Sequence, residues 1–365
     1  METYEVPLVP GPTMVSPEVL AAYRRDFGSP DLEPEYARLY AETQELLRRI
    51  LGTRNRFAIM TGEGMLALWA GLKSCLRSGD TVLAVSTGPF GAGIAEMAQT
   101  ITPRVVRLDF AYHEVADLQR VEEAILKHRP KMLTLVHCET PCGTLNPLEE
   151  IGALVRKRDV PLFYVDAVSS AGGVPLAVDE CRIDLGLFGT QKCFSCPPNL
   201  ALVSVSDRAW EIIAEVNYQG YDALQPWRTA LGERYFPYTP YWHGLAALHC
   251  ALTLLLEEGL ERVYQRHAEA AAYCRERAQQ MGLELFPARE EYCSPTVTAL
   301  KVPSEVSWTA LDRALRAQGV VVGGSWGKLQ GKVFRIGHLG TQAQRSLVAR
   351  GMAVLERVLG TLRPQ

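Results

Sequence analysis

Phe163-Tyr164-Val165-Asp166-Ala167-Val168-Ser169-Ser170 is an apolar run that breaks on a single acid. Further on, Leu185-Gly186-Leu187-Phe188-Gly189-Thr190-Gln191-Lys192 is an uncharged run that breaks on a single lysine. Each reads as a buried strand that delivers one charged residue at its carboxyl end. In open α/β sheets, ligands sit outside the carboxyl ends of the strands. The two runs therefore predict an α/β enzyme with Asp166 and Lys192 facing one crevice. Burial and a neighbouring cation both lower a lysine's pKa and favour the free amine that attacks a carbonyl.

The segments on either side extend the same pattern. Short apolar strands are expected at 57–60, 81–85, 105–108, 132–136 and 200–205, with helices at 35–51, 65–76, 116–128 and 147–157 between them. That is enough for a mostly parallel, seven-stranded sheet covered by helices. Thr61-Gly62-Glu63-Gly64 is a turn opening a helix, and free backbone N–H groups at a helix start suit a phosphate. Phe90 stands between Gly88 and Gly91 at the mouth of the sheet, a place core packing explains poorly. A long helical stretch starts at Thr239-Pro240 and runs to about 280, with Gly259 marking a break or a domain boundary. The remainder reads as a smaller α+β domain: strands at 296–301, 320–324 and 333–337, helices at 308–316 and 342–359. The expected division is 1–257, a large domain with an N-terminal lead-in, and 258–365, a small one. Arg335 lies between apolar neighbours in the last strand, and a buried arginine needs a partner.

Composition removes several function classes. The chain has 365 residues, 47% hydrophobic and 22% charged, with a net charge of -3, so no polyanion partner such as nucleic acid is indicated. No apolar run reaches the length of a membrane span. Residues 1–12 hold two acids and no base, unlike a secretory leader. Nine cysteines, an odd number, fit free thiols in a reducing cytoplasm. Cys193-x-x-Cys196 lacks the second ligand pair that a metal site needs, although Cys138 and Cys142 lie in a loop expected nearby. No metal is expected. His137, a lone histidine after a strand, reads as structural.

An acid and a lysine brought together in this way suit pyridoxal 5'-phosphate (PLP). The lysine forms a Schiff base with the aldehyde, and the acid keeps the pyridine nitrogen protonated. At these residues the sequence resembles the class V, fold-type-I aminotransferases, in their alanine–glyoxylate and serine–pyruvate branch. The resemblance runs from Pro10 to about Leu359. It implies PLP fold type I and a homodimer with a shared active site. It assigns Lys192 to the Schiff base, Asp166 to the pyridine nitrogen, Val168 to the ring face and Phe90 to stacking on the ring. Gly64, Met65 and Gln191 would hold the phosphate, and Thr140 would hydrogen-bond to the cofactor. Arg335 would fork onto the substrate carboxylate. Thr239 would reach the phosphate of the neighbouring subunit, and Pro10-Gly11-Pro12 would lie near the site. Two departures stand out. Glu63 occupies a position where a small residue is usual; its carboxylate would repel a phosphate, so its side chain is expected to point away or to cap the helix through its charge. The tyrosine usual at 236 is Phe236, flanked by Tyr235 and Tyr238.

The implied reaction moves an amino group from a small amino acid, of the alanine or serine type, to a 2-oxo acid such as glyoxylate or pyruvate. Lys192 carries the proton. Rivals on the same skeleton are a PLP lyase of the cysteine desulfurase or kynureninase kind, and a transaminase for an unusual amine such as an aminophosphonate or ureidoglycine. A desulfurase needs a nucleophilic cysteine late in the chain, where Cys293 is the one candidate. A non-enzymatic module on this fold is opposed by the intact Lys192 and Asp166.

Overall fold

Strands buried on both faces need no alternation of polar and apolar residues, and in parallel sheets they read as continuous apolar runs. That is the state of the central strands in the computed structural model, which describes residues 4–362. The strands are β1 (Val6–Leu8), β2 (Arg56–Thr61), β3 (Val82–Ser86), β4 (Val105–Asp109), β5 (Met132–Val136), β6 (Cys138–Glu139), β7 (Thr144–Leu145), β8 (Leu162–Asp166), β9 (Leu185–Gly189), β10 (Leu200–Val205), β11 (Val297–Lys301), β12 (Val320–Gly324) and β13 (Val333–Gly337). Seven of them form one sheet in the order β2-β10-β9-β8-β5-β3-β4. β10 runs antiparallel to both neighbours, and the other pairings are parallel. Every residue of β3, β5, β8, β9 and β10 is buried.

Helices cover the sheet closely. The helix Gly64–Cys75 crosses it at Gly71, where a Cβ would stand 3.0 Å from the Tyr164 ring and 3.2 Å from Leu187. The Tyr164 hydroxyl donates to the Leu68 carbonyl at 3.0 Å, which ties helix to strand. Helix Asp207–Val216 follows β10 and packs on the same side as helix Gly64–Cys75. It is capped by Ser206 and buries Trp210. The long helical stretch is two helices, Trp242–Glu258 and Leu260–Gln280, broken at Gly259 (φ 87°). It starts at Trp242 rather than Thr239, with Tyr241 as the N-cap.

A second sheet, β1-β12-β13-β11, has its own apolar core with the helices Leu260–Gln280, Trp308–Ala317 and Arg345–Leu362. The lead-in joins this sheet rather than the larger one. β1 pairs parallel with β12, Val6 opposite Val320, and Val6 and Leu8 turn into the smaller core. Residues 9–13 then cross to the large sheet, where the Thr13 N–H donates to the Gln191 carbonyl at 3.0 Å. The smaller sheet is thereby linked to the residue beside Lys192.

Candidate active site

Parallel pairing brings the strand ends together. Asp166, the last residue of β8, lies opposite Val136 of β5 on one side and Leu187 of β9 on the other. Its carboxylate Oδ1 accepts the Val168 N–H at 2.9 Å, and no described residue donates to the other oxygen. Burial raises its pKa to about 6, while the Val168 bond and the Lys192 charge pull it down.

Lys192 does not end its strand. β9 stops at Gly189, the last residue paired with β10, and the chain turns so that the Ser195 N–H donates to the Lys192 carbonyl at 2.9 Å. The lysine therefore stands in a turn three residues past the strand end. Its Nζ donates to the Pro10 carbonyl. Gly11 makes the close approach feasible: at φ +92°, a Cβ there would come within 2.5 Å of Lys192 Cδ and 2.6 Å of Nζ. Burial lowers the lysine's pKa to about 8, and the Arg335 cation pushes the same way.

The turn before helix Gly64–Cys75 lies on the same side. Gly64 packs on Val168, whose Cγ2 would stand 2.9 Å from a Cβ at 64. Two groups assigned to a phosphate, the Met65 N–H and the Gln191 amide, meet the Glu63 carboxylate instead. Met65 N donates to Oε1 at 3.0 Å and Gln191 Nε2 to Oε2 at 3.2 Å. Glu63 is the N-cap of this helix. Its charge also reaches Asp166.

Phe90, Thr140 and Arg335 form a second cluster, joined through Trp326 and the Thr140 carbonyl. Phe90 is the second residue of the helix Pro89–Gln99, and its ring meets Trp326 edge-on at 5.8 Å. The Thr140 hydroxyl pairs with the Ser169 hydroxyl at 2.5 Å. Arg335 is 5% exposed and has no acidic partner among the described residues. Its Nε donates to the Gly324 carbonyl at 3.0 Å, Nη1 reaches toward the Thr140 carbonyl at 3.5 Å, and its guanidinium lies 4.8 Å from the centre of the Trp326 ring.

Two residues of this site escape the sequence reading. Glu139 is fully buried and accepts the Phe90 and Gly91 N–H groups. It could have been found by the logic that finds Asp166, since it is a lone acid in an uncharged loop. Trp326 gave no such signal, because its neighbours have no period.

Thr239 is exposed and its hydroxyl has no hydrogen bond to a described residue. Phe236 is packed against Tyr36 and Tyr40, Tyr235 is exposed, and the Tyr238 hydroxyl accepts the Thr61 N–H at 3.1 Å. The thiols have separate partners: Cys138 the Ser294 hydroxyl, Cys193 the Ser169 carbonyl and Cys196 the Ala247 carbonyl. Burial raises Cys138 to about 11 and Cys193 to about 12, so both stay protonated. No group of three potential metal ligands occurs among the described residues. Burial also raises Cys293 to about 11, and its residue bridges to Thr144, which does not fit a thiolate on a free loop. His137 is buried and lowered to about 4 for that reason alone, so it is neutral.

Residues 10–331 match the family described as aminotransferase class-V. The chain is 34% identical over 346 residues to pyridoxamine–pyruvate transaminase of Mesorhizobium japonicum, covering 93% of this chain and 87% of the relative. It is 32% identical over 361 residues to the alanine–glyoxylate aminotransferase of Oryctolagus cuniculus, covering 96% and 92%. The crystal structure of pyridoxamine–pyruvate aminotransferase from Mesorhizobium loti superposes with a TM-score of 0.96 at 31% identity, covering 100% of this chain and 94% of that one. A mostly parallel seven-stranded sheet with a smaller α+β domain, an acid at one strand end and a lysine in the turn past the next strand define an aminotransferase of the PLP-dependent fold. The chain belongs to the class-V aminotransferases.

This family uses PLP, and the donor set divides over it. The ring end fits: Asp166 keeps one oxygen free, Lys192 is poised as an amine, and Arg335 waits without an acid. The phosphate end does not, since the Glu63 carboxylate holds the expected donors.

Proposed function

We propose that Lys192, Asp166 and Arg335 serve one transamination, between a small amine and a 2-oxo acid such as pyruvate or glyoxylate. The names of the relatives bracket the donor: an alanine-type amino acid in one, pyridoxamine in another. The observation that carries the reading is the buried, acid-free Arg335 beside a lysine whose pKa is lowered. A vitamin B6 ring bound here supplies an electron sink, so that a proton can leave the carbon next to nitrogen.

The chain's own residues do the rest. Asp166 offers its free carboxylate oxygen to the protonated pyridine nitrogen and stabilises that charge. Lys192 would hold the ring covalently through its amine and, when free, would take and return the proton. Its pKa near 8 keeps both protonation states populated around neutral pH. Arg335 grips the carboxylate of the amino or oxo acid through its guanidinium fork. Val168 and Phe90 would border the ring on its faces, and the Thr140 and Ser169 hydroxyls, which pair with each other, would lie at its edge.

The same proposal includes a cytoplasmic homodimer. Its support is an exposed aromatic loop, with Tyr221, Tyr235 and Tyr241 outward and the Thr239 hydroxyl unengaged. No helix among the described residues is long and apolar enough to cross a membrane. The expected division at 257/258 falls one residue before the Gly259 break and remains part of the proposal. The test is to incubate the chain with a B6 ring, alanine and glyoxylate, and follow glycine and pyruvate. Formation of both supports the reading. Sulfide release from cysteine without amino transfer would transfer it to the lyases, and an active monomer in sedimentation would remove the shared site.

A further inference from the structure

The seat at the start of helix Gly64–Cys75 already holds an anion. Glu63 accepts from the Met65 N–H and the Gln191 amide, both neutral donors, and no cation among the described residues pairs with it. Beside it, Gln191 Oε1 is buried and has no hydrogen-bond donor among the described residues, in a residue 7% exposed. A carboxylate and an unpaired amide oxygen are acceptors only. They call for an O–H or N–H and repel a phosphate, which carries about two negative charges at neutral pH. The phenol expected at 236 is absent, and the Phe236 ring is packed among Tyr36, Tyr40 and Trp227. The Tyr238 oxygen is engaged by the Thr61 N–H.

We infer that the site takes the B6 ring without its phosphate, as pyridoxamine or pyridoxal, with the ring's hydroxymethyl group donating to Glu63 or Gln191 Oε1. This rests on the transaminase reading and changes only the fate of the ring. In its amine form the ring has no covalent bond to Lys192. A phosphate would anchor it at that stage, and here that anchor is missing. The ring therefore enters and leaves as a substrate. The overall step balances without another reactant. Pyridoxamine and a 2-oxo acid give pyridoxal and an amino acid. The methylene carbon loses two electrons and its C–N bond, and gains the oxygen. The oxo carbon gains two electrons, a hydrogen and the nitrogen.

The test uses the full chain in equilibrium dialysis against pyridoxal and, separately, PLP, followed by borohydride reduction and peptide mapping. Wild type is expected to load Lys192 with pyridoxal at concentrations at least about tenfold lower than with PLP, the scale of a like-charge clash. Glu63→Ser removes the charge and should narrow or reverse the preference. Glu63 also caps the helix, so Glu63→Gln, which keeps its length and an accepting oxygen, is the second variant. With pyridoxamine and pyruvate, aldehyde should accumulate beyond one equivalent of chain. Equal or tighter binding of PLP by wild type, or aldehyde that stops at one equivalent, overturns the inference and leaves the transaminase reading standing. No label on Lys192 from either compound overturns that reading itself. Should neither variant fold, the wild-type comparison decides alone.

Discussion

The Gly91 N–H donates to Glu139 Oε1 at 2.7 Å, and the Phe90 N–H reaches the other oxygen of that carboxylate at 3.2 Å. One buried acid thus caps the helix that carries Phe90. Neither Gly88 nor Gly91 has room for a Cβ: Glu139 atoms would lie 2.6 Å from one at 88, and the Ser86 Cα and the Val85 carbonyl oxygen 2.9 Å from one at 91. Burial raises the Glu139 pKa to about 8, against the pull of its two backbone donors. The folded chain then holds a proton that the unfolded chain has released. The stability this group contributes is present in full below about 4.5, its ordinary value, and is lost as pH rises through about 8. Glu139→Gln should flatten that slope, because an amide does not titrate. It leaves one N–H without an acceptor, at a cost of about 1–3 kcal/mol. Urea unfolding at the two ends of the window measures both effects. Parallel pH profiles in wild type and variant would remove Glu139 from the titration.

Lys192 and Arg335 are electrostatically coupled. Burial lowers the lysine to about 8, Arg335 is the next cause, and Asp166 acts in the opposite sense. The pH at which half of Lys192 reacts with an aldehyde probe should therefore move up in Arg335→Gln and down in Asp166→Asn, each by up to about one unit. The opposed signs separate coupling from a general loosening, which would move both variants toward an exposed lysine. Labelling rates of Lys192 across roughly pH 6 to 11.5, which brackets about 8 and its ordinary value of 10.5, give the answer. A shift of the same sign in both variants would refute the coupling.

Gly11→Ala tests the approach of the lead-in to Lys192. A methyl group at 11 would collide with three side-chain atoms of Lys192, at 2.5 to 2.9 Å, and would sit at φ +92°. Strain of this kind costs on the order of 1–3 kcal/mol. Lys192 can relieve the collision only by leaving the Pro10 carbonyl. Slower labelling of Lys192 together with a lower melting temperature is expected. A variant that labels at the wild-type rate would mean that the contact does not position the lysine.

Asp166 and Lys192 were legible because each ends an uncharged run, and burial on both sheet faces leaves just that trace in a sequence. Strand order followed less directly. β1 is three residues long, too short for any period, and its alternation of buried and half-buried positions shows only against β12. The exact place of Lys192, in a turn past β9, depends on where the partner strand β10 stops pairing. Glu63 was visible as an anomaly. Its effect needed geometry, since only the folded chain brings Gln191 to its carboxylate.

Arg335 supplies the last prediction. The fork is fixed before any substrate arrives: Nε and Nη2 share the Gly324 carbonyl, and the Trp326 ring lies 4.8 Å away. Burial lowers the Arg335 pKa to about 10, so the group is still charged at neutral pH. A buried cation without an acid is costly unless an anion arrives. The carboxylate of an amino or oxo acid fills that role, and its loss costs about 2–5 kcal/mol, or roughly 30-fold to a few thousand-fold in affinity. Arg335→Ala should raise KM for a 2-oxo acid within that range. Arg335→Lys should recover a part only, since a lysine keeps the charge but not the fork. A structural arginine would also lower activity when removed, so a second readout is needed. Wild type should prefer a 2-oxo acid over its uncharged amide, and Arg335→Ala should lose that preference. If the preference survives in Arg335→Ala with a normal melting curve, the carboxylate is gripped by another group.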